Sequence, residues 1–224
     1  MSKLTWDTIG EHKYETGVRQ GVLWPFKSGA YQTGVAWNGL STVTESPSGA
    51  EETKIYADDI KYLGLRSVEE FGGTIEAYMF PDEFYECNGM AVPVNGVVFG
   101  QQKRIPFAFS YRTAIGNDTE YDSYGYKIHL IYGATVSPSQ RTYTTMNDSP
   151  EANTMSWEFT TTAVAVAGYK PTSSLEVDST VVDATKLAAL EDMIYGTTNA
   201  ESTLPMPADV IAMFKTNAAP STGD

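Results

Sequence analysis

The chain has 224 residues, 28 acidic and 15 basic side chains, and a net charge of -13, which repels phosphate backbones and excludes tight DNA or RNA binding. Its length suits one domain, or one domain with appendages. The 14 Tyr and 19 Gly, with recurrent Thr and Val, lean towards β structure.

In chain order, residues 1–16 read as polar and loosely held. "GVRQGVLWP" predicts a short strand ended by Pro25, and Val35 and Trp37 share a parity in the segment that follows. Residues 41–61 read as a long loop, because Ser46 to Glu52 is Pro, Gly, Ser and Glu. The tail of that region, "KIYADDIKYLGL", has the character of a strand. "RSVEEFGGTIEAYMF" predicts a strand with a bulge or bend at Gly72-Gly73. Pro81, the acids Asp82 and Glu83, and Asn88-Gly89 bracket one short helix. Asn95-Gly96 is a hairpin-turn pair, and Ile105, Phe107, Phe109 and Tyr111 line one face of a strand.

The segment "YGYKIHLIYGATV", 124–136, alternates without interruption. Tyr124, Tyr126, Ile128, Leu130 and Tyr132 share one parity; Lys127 and His129 fall on the other. That is one long strand with a packed face and a polar row. The turn signal "SPS" pairs it with "SQRTYTTM" in a long hairpin over about 124–146. "WEFTTTAVAVAG" and "SLEVDSTVV" are further strands. From Asp183 the pattern becomes helical: Asp183 is the expected N-cap, Gly196 the stop, and Leu187, Leu190 and Ile194 the buried stripe. "PADVIAMFK" is a second short helix. The fold class expected is mainly β, a sandwich or barrel over 1–182 with one flanking helix, followed by a helical C-terminal appendage over 183–224.

The search for chemistry is mostly negative. Cys87 is the single cysteine, so no intrachain disulfide can form. It reads as a small buried hydrophobe of a protein made in a reducing cytoplasm. Cys87 with His12 or His129 has no surrounding nucleophile signature, and one Cys with two scattered His gives no zinc spacing. Asp118, Glu120 and Asp122 have the spacing of a calcium loop, but Ser123 and His129 stand where that loop needs Gly and Glu. The neighbours Asp58-Asp59 and Glu69-Glu70 point to opposite faces of a strand, so neither pair can flank one glycosidic bond. No phosphate-cradling glycine loop, cofactor motif or metal motif is legible. No apolar run approaches the roughly 20 residues of a membrane-spanning helix. The first residues lack the apolar stretch of a signal peptide.

Several blocks, in order, resemble the major tail (tail tube) proteins of long-tailed, non-contractile bacteriophages. They include "YETGVRQGVLW", "AWNGLSTVTESPSGAEETKIYADDIKYL", "SVEEFGGTIEAYMFPDEFYECNG", "FSYRTAIGNDTE" and the long segment from Gly125 to Thr162. The resemblance implies a tail-tube-type β-sandwich, six copies to a ring, and rings stacked into a tube whose wall is a shared β-barrel. It implies a structural, non-enzymatic virion protein, assembled in the host cytoplasm, with genomic DNA passing through the lumen without specific binding. The implied partners are copies of itself, the tape-measure protein, tail chaperones, and the terminator and baseplate proteins. The alternatives are another β-rich virion protein, such as a tail terminator or head decoration protein, and a carbohydrate-binding module using Trp24, Trp37 and Tyr143. Within the leading reading, Ser46, Pro47, Glu51 and Glu52 are expected at inter-subunit contacts in a loop ordered by neighbours. Lys127 and His129 are likewise expected at inter-subunit contacts; they either pair with carboxylates of a neighbouring strand or subunit, the candidates being Glu158, Glu76 and the acids of "NDTEYD", or face outwards.

Overall fold

A computed structural model describes residues 3–91, 94–145, 148 and 152–215. The main body is a single antiparallel sheet. Its strands are β1 (Tyr14–Lys27), β2 (Ala30–Tyr31), β3 (Val35–Trp37), β4 (Leu40–Glu45), β9 (Gly72–Ala77), β10 (Phe107–Asn117), β11 (Tyr121–Val136), β12 (Met155–Thr161) and β13 (Ser174–Asp178). The order is β2-β1-β10-β11-β12-β9-β4, with β3 on the free edge of β1 and β13 beside β11. Between β4 and β9 the chain leaves the body as an arm made of β5 (Ser48–Gly49), β6 (Glu52–Ala57), β7 (Ile60–Arg66) and β8 (Glu69–Glu70). The helices are α1 (Phe84–Cys87), α2 (Ala184–Tyr195) and α3 (Pro207–Phe214). The fold is mainly β, as expected, with a large antiparallel sheet and few short helices.

The sheet folds over itself, so its inner faces meet. Leu23, Phe107, Phe109 and Ile131 from one side pack against Ile75, Trp157 and Phe159 from the other. The rings of Phe109 and Phe159 lie 5.3 Å apart, edge to face. Phe84 of α1 plugs the open end, with Trp37 at 4.6 Å, Trp157 at 5.1 Å and Phe107 at 5.5 Å. Burying a phenylalanine side chain in this way stabilises by about 1.5–3 kcal/mol. The helix is as short as its sequence allows: Asn88 and Gly89 follow at once, and Gly89 takes φ +73°. A second core lies on the outer face, where Val22, Trp24, Ile128, Leu130 and Tyr132 meet Leu187, Leu190 and Ile194 of α2 and Val210 of α3. Asp183 caps α2 by accepting from Thr185 N and Lys186 N, both at 3.0 Å. Gly196 ends it at φ +73°.

Strand β11 is long and unbroken in sequence, but both of its faces are packed in its second half. Ile131, Ala134 and Val136 enter the inner core; Ile128, Leu130 and Tyr132 enter the outer one. The change of parity comes from a bulge. Phe109 pairs with Ile131 and Phe107 with Ala134, so β11 spends one extra residue there. Gly133 supplies it at φ +61°, and a Cβ at that position would lie 2.4 Å from the Thr162 carbonyl oxygen.

Four expectations are corrected. Strand β11 is not paired with the segment directly after Pro138: 139–145 form no strand, and Met146 lies outside the described residues. Its second edge is occupied by β12 and β13, which bring Trp157, Phe159 and Val177 to the two cores, whereas "SQRTY" has one aromatic to offer. Strand β1 is fourteen residues long and runs through Pro25. Phe26 N donates to the Pro106 carbonyl, so the proline nitrogen faces the opposite edge, where it interrupts no pairing with β10. Gly72 and Gly73 make no bulge, since Phe159 pairs with Gly73 and Thr160 with Gly72 in unshifted register. They are small because a Cβ on Gly73 would lie 2.1 Å from the Thr44 carbonyl oxygen. Residues 41–61 are not a loop but β4, β5 and β6 with the first residues of β7. The Asn95-Gly96 turn is present, with φ of +52° and +82° between bridged Val94 and Val97.

Replacing Gly133 by alanine should cost about 1–3 kcal/mol of unfolding free energy, from left-handed strain and the approach to Thr162. Urea denaturation followed by tryptophan fluorescence measures this. An unchanged midpoint would mean that the bulge does not set the register.

Candidate assembly surfaces

The arm is an amphipathic ribbon. Thr53 pairs with Leu65, Ile55 with Leu63 and, past a bulge at Tyr62, Ala57 with Ile60, so every pair on one face but that of Thr53 is apolar on both strands. Glu52 pairs with Arg66, Lys54 with Gly64 and Tyr56 with Lys61 on the other face, where Lys61 also forms an ion pair with Glu52. The turn between the strands is Asp58-Asp59, with φ of +53° and +62°, the two-residue geometry that suits strand twist. Aspartate tolerates this region better than most residues. That is the signal that reading "KIYADDIKYLGL" as one strand missed. Strands β5 and β8 continue the ribbon towards the body: Ser48 pairs with Glu70 and Gly49 with Glu69. Nothing among the described residues covers the apolar face. Leu63 is 36% exposed, Ile55 39%, Leu65 55% and Ile60 66%. An isolated two-stranded ribbon is marginal in water.

Four of the residues expected at subunit contacts belong to this arm or its root. Ser46 N donates to the Gly72 carbonyl; Pro47 follows it, exposed; Glu51 accepts at its carbonyl from Ser67 N; Glu52 is in the ion pair. All four are exposed.

Lys127 and His129 lie elsewhere, on the inner face of β11 where the apolar core gives out. The last core ring is Tyr111, and His129 stacks on it with centroids 4.5 Å apart and planes 3° from parallel. Tyr111 donates to Glu45 of β4 at 2.7 Å, and burial first, then that carboxylate, push its pKa well above the usual tyrosine value. Thr113 donates to Glu15 Oε1 at 2.5 Å, so its one proton is spent. Its oxygen therefore accepts from His129 Nε2 at 3.0 Å, which places the histidine proton on Nε2. Lys127 Nζ bridges Glu15 at 2.9 Å and Glu176 at 3.0 Å. His129 lies 3.3 Å from Glu15 through Nε2 and 3.8 Å from Glu176 through Nδ1. The result is a charged seam that stitches β1, β10, β11 and β13 side by side. Its partners are Glu15 and Glu176, not Glu158, Glu76 or the "NDTEYD" acids. Glu158 and Glu76 sit in the β9–β12 ladder, and Asp118 is taken by Gly10 N and His12. The hydrogen bonds that Lys127 donates to Glu15 and Glu176 raise its pKa. Burial works against the Glu15 carboxylate, but the bonds from Thr113 and Lys127 outweigh it, and its pKa falls below the usual value.

Past the seam, β1, β10 and β11 continue as a three-stranded extension. Its outer edges, Tyr14–Gln20 and Tyr121–Gly125, pair with no strand among the described residues.

Cys87 is fully buried, its Sγ 3.9 Å from the Glu83 carbonyl, and burial pushes its pKa up to about 12. Trp24 and Trp37 are core residues, which corrects their reading as surface aromatics, while Tyr143 is exposed. No known family model matches the chain, and no curated protein matches it in sequence.

Folding lowers the Glu15 pKa, so its contribution is fully present above the unfolded carboxylate value of about 4.3 and fades as pH falls through the lowered folded value. Glu15→Gln should flatten the dependence of Tm on pH across that window. At neutral pH it should cost no more than about 1 kcal/mol, because the pair is partly exposed. Thermal melts from pH 3 to 7 check both; an unaltered pH slope would exclude the seam as a source of stability.

Proposed function

We propose that the chain is a self-assembling structural subunit that stacks as rings, six copies to a ring, into the tail tube of a long-tailed bacteriophage. The observation that carries this reading is the arm from Ser48 to Glu70, whose apolar face has no cover among the described residues. A soluble chain bears such a face when another surface covers it. Ser46, Pro47, Glu51 and Glu52, at the root of the arm, then lie at contacts between copies. The extension supports the ring: its two free edges could pair with neighbouring copies and close a common wall, removing the hazard of open strands. The sequence blocks that resemble tail tube proteins select the tube among assemblies of this kind. The net charge of -13 suits a lumen through which DNA slides without being held. In this reading, Lys127 and His129 serve the subunit itself by fixing the register of the strands that form the wall. The tape-measure protein, tail chaperones, terminator and baseplate proteins are its partners, and the protein performs no catalysis.

The double variant Ile55→Asp/Leu63→Asp should keep the native circular dichroism spectrum and Tm within about 1 kcal/mol equivalent, since both side chains lie outside the cores. It should form no tubes in negative-stain micrographs under conditions where the native chain does. Tubes of normal length from the variant, or closed single rings from the native chain, would overturn the reading.

A further inference from the structure

The chain contains three Asn-Gly pairs, Asn38-Gly39, Asn88-Gly89 and Asn95-Gly96, which local sequence does not distinguish. Such a pair is open to attack on itself, because glycine puts no side chain between its own backbone nitrogen and the asparagine amide. The reaction needs an asparagine side chain free to turn onto the main chain, a glycine N–H without a partner, and a backbone that can rotate between them. The fold decides which pair meets these conditions.

Asn88-Gly89 meets none of them. Asn88 is buried, and in the orientation that satisfies both neighbours its side-chain oxygen accepts from Arg141 at 2.7 Å and from Trp157 Nε1 at 3.2 Å. Gly89 N donates to the Glu86 carbonyl at 3.2 Å. A Cβ on Gly89 would lie 3.0 Å from the guanidinium carbon of Arg104, so the backbone has no room to turn. Asn38 is exposed, but its glycine is pinned. The Gly39 carbonyl accepts from Tyr78 N at 2.8 Å, and a Cβ on Gly39 would lie 3.1 Å from Met79 N. On the other side, Trp37 is buried and its Nε1 donates to the Met79 carbonyl at 3.0 Å. Strands β3 and β4 therefore hold both ends of that turn in the sheet.

Asn95-Gly96 meets all three. It is the exposed tip of a turn closed by Val94 and Val97, whose N–H groups donate to each other's carbonyls at 3.1 and 3.0 Å. Among the described residues, neither Gly96 N nor the Asn95 side chain has a hydrogen-bond partner. Nothing lies within 4 Å of a Cβ built on Gly96, so a ring can close there without collision. The bridge joins no sheet, and Val94, Val97 and Phe99 are exposed, so little burial opposes its opening.

We infer that Asn95 is a site of spontaneous deamidation in the folded chain, while Asn38 and Asn88 are protected. The Gly96 backbone nitrogen loses its proton to base and attacks the Asn95 side-chain carbonyl carbon. The new C–N bond closes a succinimide, and the side-chain nitrogen leaves as ammonia after taking a proton from water. Water then opens the ring. Cleavage of the new bond gives aspartate; cleavage of the original peptide bond gives isoaspartate, with the chain running through the former side chain. Either product places a carboxylate at the tip, and isoaspartate adds a carbon to the main chain of a two-residue turn, which breaks the Val94–Val97 register. The inference is independent of the proposed assembly.

Peptide mapping by mass spectrometry, after incubation of the full chain, tests it. In urea the three pairs should react at comparable rates. In the folded chain Asn95 should react at least about tenfold faster than Asn38 or Asn88, and faster at pH 9 than at pH 7, as loss of the amide proton requires. Asn95→Gln should keep the native circular dichroism spectrum and remove most of the isoaspartate that enzymatic methylation detects. Asn38 or Asn88 reacting as fast as Asn95 in the folded chain would overturn the inference, and so would an isoaspartate signal that survives Asn95→Gln.

Discussion

Strand β11 is the wall on which both cores rest. A strand with two apolar faces ordinarily reads as a continuous hydrophobic run. This one alternates, because its first half faces a charged seam and only its second half is packed on both sides. The bulge at Gly133 reconciles the two halves by moving Ala134 and Val136 onto the face that holds Ile131. Without it, the period of two would send those side chains to the outer core, and the folded-over half of the sheet would lose its partners.

The seam follows from the same geometry. Strands β10 and β11 outrun the sandwich, and the inner face needs an ending that does not leave an apolar edge in water. The Tyr111–His129 stack closes the core, and Glu15, Lys127 and Glu176 carry the surface on in polar form. Exposed ion pairs add little stability, but each of these joins a different strand, so together they specify register where burial no longer does. The outer face at the same level is closed differently. Arg112 lies 3.1 Å from the Tyr126 ring centroid and pairs with Glu191 of α2. The helix thus extends the second core along the extension.

Among the described residues, three features find no cover within the subunit: the apolar face of the ribbon, the edges of the extension, and Leu4, Trp6 and Ile9 of the N-terminal segment. An isolated subunit exposes all of them, and the high net negative charge opposes their indiscriminate association. Assembly would then depend on geometry that brings the complementary surfaces together.

The sequence by itself determined the local elements with strong signals. Asp183 and Gly196 bracket α2, Asn88-Gly89 ends α1, Asn95-Gly96 makes its turn, and the run from Gly125 to Val136 is one strand, because caps, turn residues and alternation act over a few residues. It also placed Lys127 and His129 on the polar parity. What only the tertiary structure decided was partnership. Which strand lies beside β11 depends on where Trp157, Phe159 and Val177 can be buried, and no local pattern carries that competition. The carboxylates that meet Lys127 come from positions 15 and 176, brought together by sheet order alone. The ribbon was misread for a related reason. Its polar root has the composition of a loop, and its two strands are held by pairing with each other rather than by a buried face that the sequence could advertise.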